Sequence, residues 1–180
     1  SLTDLQAKID ALPDNDGIAS SFDGKTFTLT ASADTGSKFV GTEKGDVFKA
    51  DSFVSATGDY LPTLNSSDEL DGGAGNDTLN ITDETATGYT MAAATIKNIE
   101  TITIKGADDV TANVSGSNIT GLETISVLKS KKATVTAATT TDVNVSGATD
   151  DITVKGGNDI TITDNTAASS IKVEDTNSNT

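Results

Sequence analysis

Two series of short strands advance along the second half of the chain with a common step. From residue 77 onward, segments of alternating apolar and polar residues recur, which is the pattern of a strand with one buried face. Taken alternately, the segments centre near 80, 103, 126, 144 and 161 in one series and near 112, 135, 153 and 172 in the other. Both series change their step together, from 23 residues to about 18. A coiled parallel sheet produces this pattern, because each turn adds one strand to each of two faces.

The predicted fold is therefore all-β: a right-handed parallel β-helix or β-roll solenoid with two strand faces, preceded by a short N-terminal helix. The handedness follows from the general rule for parallel crossovers. An antiparallel β-sandwich is the alternative, since it also has short, regularly spaced strands. A sandwich does not require both series to change step together. No aromatic residue follows Tyr89, so the later turns must build their core from Val, Ile, Leu and Ala.

The chain divides into an N-terminal region and a solenoid region. We predict a helix and linker over 1–26 and a solenoid over 27–180, irregular over 27–76 and regular over 77–175. The helix covers 2–12, where four apolar residues recur at helical spacing: Leu2, Leu5, Ile9 and Leu12.

Three smaller features complete the organisation. A long loop is predicted over 51–69 and a helical turn or two within 90–98. The first residue is Ser1 and no signal-peptide pattern follows it, so we expect a processed chain or a piece of a longer protein.

Composition excludes several classes of function. The formal net charge is −15, all 12 basic residues are lysine, and the chain has no His or Cys. Without those residues there is no His-based triad, no thiol nucleophile and no usual zinc site, so we expect no enzyme. Strong acidity without arginine argues against nucleic-acid partners. Anionic membrane surfaces repel such a chain and no apolar run is long enough to span a bilayer, so direct membrane insertion is not expected either.

One nine-residue segment carries the most specific signal. Residues 72–80 read Gly-Gly-Ala-Gly-Asn-Asp-Thr-Leu-Asn, which matches the calcium-binding repeat G-G-x-G-x-D-x-U-x at every defined position. Glycines let the backbone turn with its carbonyls inward, and Asp77 supplies a carboxylate. Calcium is a hard cation that takes six to eight such oxygens. The alternative is an Asp/Gly turn that only caps a strand.

Neighbouring segments match the repeat less completely. Asp68 and Asp46 occupy the acidic position of partial copies before the motif. Later copies around Asp108, Asp150 and Asp159 keep a glycine, an acid and a β-branched residue, and for these we favour ordinary turns without metal. The full candidate set for metal binding is Asp77, Gly73, Gly75, Asp68, Asp46, Asn76, Asp71 and Asp159.

Taken together, these motifs resemble the RTX-type surface-layer proteins of Gram-negative bacteria. The resemblance covers roughly residues 27–175 and includes the repeated Ile-Glu-Thr-Ile and Leu-Glu-Thr-Ile segments at 99–102 and 122–125. It implies calcium as the cofactor, type I secretion, an extracellular location on the bacterial cell surface, and self-assembly into a two-dimensional lattice. Asp77 would then bind calcium with carbonyls around Gly73 and Gly75, and Asp46 and Asp68 would face it from neighbouring turns.

Other functions are open at this point. An RTX adhesin shares every local feature, and a cell-surface polysaccharide is a second partner to consider. Thr-x-Thr pairs such as Thr101/Thr103 and Thr124/Ser126 raise an ice-binding alternative, although Asp142 and Asn144 interrupt the row. A lyase or epimerase on a β-helix is the enzyme alternative. The Lys129, Lys131 and Lys132 cluster is read as a solvated loop rather than a glycan contact.

Overall fold

The computed structural model describes residues 24–163 and 170–174. The predicted helix over 2–12 lies outside them. The elements are β1 (Thr26–Thr28), a 3₁₀ helix (Gly36–Phe39), β2 (Val47–Asp51), β3 (Phe53–Val54), β4 (Tyr60–Leu61), β5 (Glu69–Asp71), β6 (Thr78–Asp83), β7 (Tyr89–Thr90), β8 (Thr95–Lys97), β9 (Thr101–Gly106), β10 (Val110–Asn113), β11 (Ile119–Thr120), β12 (Thr124–Lys129), β13 (Ala133–Ala137), β14 (Asp142–Ser146), β15 (Ile152–Gly156), β16 (Ile160–Thr163) and β17 (Ile171–Glu174).

The strands form a parallel β-solenoid of about six turns, which confirms the predicted fold class. Sheet 1 has the order β1-β2-β6-β9-β12-β14-β16 and sheet 2 the order β17-β15-β13-β10-β7. Both predicted strand series are present, one in each sheet. The β-sandwich alternative is wrong, because every pair in these two sheets is parallel.

A third, short sheet explains the change of step. It consists of β5, β8 and β11, in the order β11-β8-β5, and it was not predicted. A turn that contains one of these strands has one strand and one corner more than a turn that alternates between sheets 1 and 2. After β11 the chain makes no further strand of this sheet among the described residues, and the step falls from 23 to about 18 residues.

The core consists of aliphatic columns that run along the solenoid axis. In sheet 1, Leu79 lies opposite Ile102, Ile102 opposite Ile125 and Ile125 opposite Val143. All four side chains are fully buried. Strand residues alternate between the two faces, so the register that buries one residue buries its counterpart in every turn.

Two local predictions need correction. Residues 90–98 contain the end of β7 and all of β8 rather than a helical turn. The three alanines at 92–94 lie in the connection between these strands, and pairing of the strands with neighbouring turns decides the outcome. The predicted loop over 51–69 contains the antiparallel hairpin β3–β4, which carries the exposed side chains of Phe53, Val54, Tyr60 and Leu61.

The buried columns predict a large difference between inward and outward residues of one sheet. We expect Ile104→Ala to lower the free energy of unfolding by about 2–5 kcal/mol, because Ile104 is fully buried and its removal leaves a cavity. Leu128→Ala is the control, since Leu128 projects outward from the neighbouring strand and is 42% exposed. Urea unfolding of both variants tests this, and equal losses would contradict the assigned register.

Candidate functional site

The candidate site lies at the corner where the chain enters sheet 1. Asp46, Asp77 and Glu100 each immediately precede a sheet 1 strand, namely β2, β6 and β9. These strands pair in register, with Val47 opposite Thr78 and Thr78 opposite Thr101. The three acidic residues therefore stack as successive rungs of one column.

Each carboxylate of the column bonds the backbone of the previous turn. Asp77 Oδ1 accepts the Asp46 N–H at 2.6 Å, and Glu100 Oε2 accepts the Asp77 N–H at 2.7 Å. Asp46 in turn accepts the N–H of Lys25. Buried backbone donors need such partners, and charged acceptors make strong ones. The acidic column is thus part of what holds the turns together.

Asp46 and Asp77 differ in how the second carboxylate oxygen is satisfied. Asp46 Oδ2 accepts both the N–H and the hydroxyl of Thr42, at 2.5 and 3.0 Å. The equivalent position in the next turn is Gly73, which has no hydroxyl and donates its N–H to Asp71 at 3.1 Å. Asp77 Oδ2 consequently has no hydrogen-bond partner, although the side chain of Asp77 is fully buried.

The electrostatic setting of Asp77 favours a cation. Burial raises the pKa of the Asp77 carboxyl above its ordinary value of 3.8, and the hydrogen bond from Asp46 opposes that rise. The charges of Glu100, Asp46 and Asp71 raise the pKa further. An ionised carboxylate in this position is costly without a counter-charge. A bound cation or a proton would relieve that cost.

The glycines of the motif have a structural reason that is independent of metal. Gly73 has φ +90°, and a Cβ there would collide with the carbonyl oxygen of Thr42 in the previous turn. Gly75 has φ +124°, and a Cβ would lie 2.5 Å from the carbonyl oxygen of Lys44. Close stacking of two loops, together with a left-handed backbone, therefore requires glycine at both positions.

A pair of glycine substitutions separates crowding from backbone strain. Gly58 also has a left-handed φ of +87°, but nothing lies within 4 Å of its would-be Cβ. We expect Gly58→Ala to cost about 1–2 kcal/mol of unfolding free energy, which is the strain alone. Gly73→Ala should cost clearly more, because the Thr42 backbone must also move. Thermal unfolding in EDTA measures both, and equal costs would show that the two loops do not stack closely.

Asp68 lies at a different corner from Asp77. It precedes β5 in the third sheet, and its Oδ1 accepts the N–H of Asp34 at 3.0 Å while its Oδ2 accepts the N–H of Asn65 at 2.8 Å. This differs from the expectation that Asp68 would face Asp77. The third sheet inserts a separate corner between them, and both oxygens of Asp68 have protein donors.

The remaining candidate residues are spread over the surface of the turns. Asp71 is half-buried, and its Oδ1 accepts from Gly73 and from the side chain of Asn98. Asn76 is exposed. Asp159 is also exposed, and its N–H donates to Asp142 at 3.1 Å in the preceding turn. Of the predicted set, the structure brings Asp46, Asp71, Gly73, Gly75 and Asp77 together and leaves Asp68 and Asp159 apart.

Burial makes Asp68 a source of pH-dependent stability. Desolvation raises the pKa of its carboxyl above 3.8, although hydrogen bonds from Asn65 and Asp34 oppose the shift. A raised folded-state pKa contributes stability that is full below 3.8 and is lost as the pH rises through the folded value. We therefore expect the stability advantage of the native chain over Asp68→Asn to shrink as the pH rises from about 3.8.

Urea unfolding over a pH series measures this difference, with Asp159→Asn as an exposed-site control. An advantage that grows with pH would mean that the two hydrogen bonds to Asp68 outweigh its burial.

Downstream, the same corner is built without a glycine loop. The six residues 72–77 between β5 and β6 are replaced by Asn98–Glu100 between β8 and β9, and by Gly121–Glu123 between β11 and β12. The middle residue of each short turn, Ile99 or Leu122, is buried. An apolar side chain thus occupies the interior of these two corners, and neither carries the glycine loop of the complete motif.

In two of the degenerate copies after residue 100, the acidic side chain accepts a hydrogen bond from the next residue of its own turn. Asp108 Oδ1 accepts the N–H of Asp109, and Asp150 Oδ1 accepts the N–H of Asp151, both at 2.9 Å. The Lys131–Lys132 turn lies between these two acidic turns. Lys131 approaches Asp108 and Lys132 approaches Asp151, each at 3.8 Å. The lysines therefore balance the charge of neighbouring turns in the stack.

Sequence reasoning missed three acidic residues with structural roles. Glu100 continues the column of Asp46 and Asp77, and the in-phase position before a strand was the available signal. Asp34 donates its backbone N–H to the Asp68 carboxylate but belongs to no motif. Asp83 is buried where β6 ends, and one of its oxygens has no partner, like the nearby buried hydroxyl of Tyr89. Burial raises the pKa of the Tyr89 hydroxyl, and the charge of Asp83 raises it further.

Side chains alone do not form a metal site in the described part of the chain. Among residues 24–163 and 170–174, no three acidic side chains converge closely enough to hold an ion. An ion at Asp77 would need backbone carbonyl oxygens as most of its ligands, which is compatible with calcium.

Comparison with known proteins adds no relative. No protein-family model matches the sequence, and no curated protein matches it significantly. Among the described residues, no helix is long and apolar enough to cross a membrane.

Proposed function

We propose that this chain is a calcium-stabilised structural module of a self-assembling bacterial surface layer, without enzymatic activity. The observation that carries the calcium part of this proposal is the fully buried Asp77 carboxylate with one unpartnered oxygen. It lies inside the only segment that fits the complete nonapeptide repeat. The resemblance to RTX-type surface-layer proteins supplies the surface-layer part.

The residues present fit a calcium ion in their chemistry. Asp77 Oδ2 would supply the carboxylate oxygen, and the carbonyls of the Gly73–Gly75 loop would supply neutral oxygens. Bound calcium would cancel the repulsion among Asp77, Asp46 and Glu100, which otherwise opposes stacking of the turns. Asp46 would contribute little, because its oxygens already accept protein donors.

Calcium should therefore raise the stability of this chain through Asp77. A single site at a hundredfold excess over its dissociation constant adds about 2.7 kcal/mol to the free energy of unfolding. Circular dichroism during thermal unfolding, in EDTA and across a calcium series with magnesium as the comparison ion, measures this effect. An unchanged midpoint with calcium would sink the calcium site.

Asp77→Asn gives the site-specific form of the same test. Asparagine keeps an oxygen for the Asp46 N–H and removes the buried charge, so we expect the variant to match or exceed native stability in EDTA. In calcium it should fall below the native chain, because it gains nothing from the ion. Asp159→Asn, at an exposed position, should respond to calcium as the native chain does. A calcium response that survives Asp77→Asn would place the ion elsewhere.

Self-assembly distinguishes the surface layer from an adhesin. If the surface-layer proposal is right, electron microscopy of the purified chain should show ordered two-dimensional arrays that grow only with calcium. A chain that binds calcium and a glycan but forms no array would instead be an adhesin module.

The strand register of sheet 1 does not favour an ice-binding face. Thr101 and Thr124 are followed in their column by Asp142, and Thr103 and Ser126 by Asn144. A carboxylate in the row breaks the regular hydroxyl spacing that such a surface needs. Absence of thermal hysteresis would remove this alternative.

A further inference from the structure

We infer that the β17 end of the solenoid is a dimerisation surface that pairs with the same end of a second copy. Ile171 and Val173 lie opposite Ile152 and Val154 of the preceding turn. Ile152 and Val154 are buried, whereas Ile171 and Val173 are each 53% exposed. The core columns therefore continue to the last described turn, and no described residue covers their outer side.

Both main sheets end in an unpaired strand on this side. β17 is the last strand of sheet 2 and β16 the last of sheet 1, and no described strand pairs with the outer edge of either. Ile160 and Ile162 of β16 face inward and are only partly buried. Open edges beside uncovered aliphatic side chains are prone to pair with another chain.

The opposite end of the solenoid is closed differently. There Phe27 of β1 stacks on Phe48, with ring centroids 4.5 Å apart, and Phe39 lies against Phe27 at 6.4 Å. Leu29 is buried beside them. This aromatic layer carries one sheet 1 strand of three residues and no sheet 2 strand among the described residues. The β1 end therefore cannot pair with both open edges of the β17 end, β16 and β17. Stacking of the β17 end of one copy on the β1 end of another is disfavoured for this reason.

The hydrogen-bonding groups of β17 fit a two-fold pairing centred on Val173. The Ser170 carbonyl accepts from Ile152 in the preceding turn. Successive residues of a strand point their backbone groups to opposite sides, so those of Ile171 and Val173 point to the free edge. In an antiparallel pair, two copies of Val173 can then exchange both N–H···O bonds across a two-fold axis.

The outward side chains of β17 are self-complementary in this arrangement. With Val173 opposite itself, Lys172 of each copy lies opposite Glu174 of the other. Opposite charges at such positions stabilise antiparallel pairs, and like charges destabilise them. Within one chain, Lys172 and Glu174 already pair at 2.5 Å, so both charged groups lie on the same face of β17. β16 has a similar pattern, because pairing centred on Ile162 would place Thr161 opposite Thr163.

A charge-swap series tests this surface. Sedimentation equilibrium of the full chain in EDTA, at physiological ionic strength and over a concentration series, should show a monomer–dimer equilibrium. EDTA removes calcium-dependent assembly, so the result is independent of the proposed function. Lys172→Glu or Glu174→Lys alone should weaken the dimer by about tenfold or more, because like charges then lie opposite each other.

Mixing the two single variants is the decisive arm. A heterodimer of Lys172→Glu with Glu174→Lys has opposite charges at both cross-strand positions, so mixing should restore dimerisation. The pair within each chain stays like-charged, so recovery cannot come from an internal salt bridge. Val173→Lys should give a monomer, and Leu128→Lys on an exposed sheet 1 position is its control. A native chain that stays monomeric, or a mixture that stays monomeric, would overturn the proposal.

Discussion

In-register parallel stacking of the turns is the constraint on which the rest of this structure depends. Each residue lies above its counterpart one turn earlier, at the strand spacing of roughly 4.8 Å. The inside of the solenoid therefore becomes columns of aliphatic residues, such as Leu79, Ile102 and Ile125. The same rule acts at the corners, where any acidic residue that keeps its position from turn to turn meets another acidic residue.

The chain offsets that repulsion in two ways. Asp46 accepts hydrogen bonds at both oxygens, from backbone N–H groups and from the Thr42 hydroxyl. On the other side of the solenoid, Lys131 and Lys132 stand between acidic turns. Asp77 has neither of these solutions for its second oxygen, and this makes it the point where a cation would have the largest effect.

Only part of the candidate site could be predicted from the sequence. The nonapeptide located Asp77 and its glycines, because both the metal-binding and the turn-stacking explanation demand the same residues. Asp68 was expected beside Asp77, since spacing along the chain does not reveal that a third sheet separates their corners. Glu100 was missed, because its role depends on reaching back to the Asp77 N–H one turn earlier.

The sequence by itself determined the solenoid, its regular strands from β6 onward in sheet 1 and from β10 onward in sheet 2, and its single complete motif, because period-2 alternation and a shared step are local, repeated signals. Tertiary structure alone decided the third sheet, whose strands of two or three residues are too short to show a period. It also decided that β7 and β8 form at 89–90 and 95–97 in place of a helical turn, and which carboxylate oxygen stays unpartnered. Those outcomes depend on contacts between turns, and only the stacked chain brings the partners together.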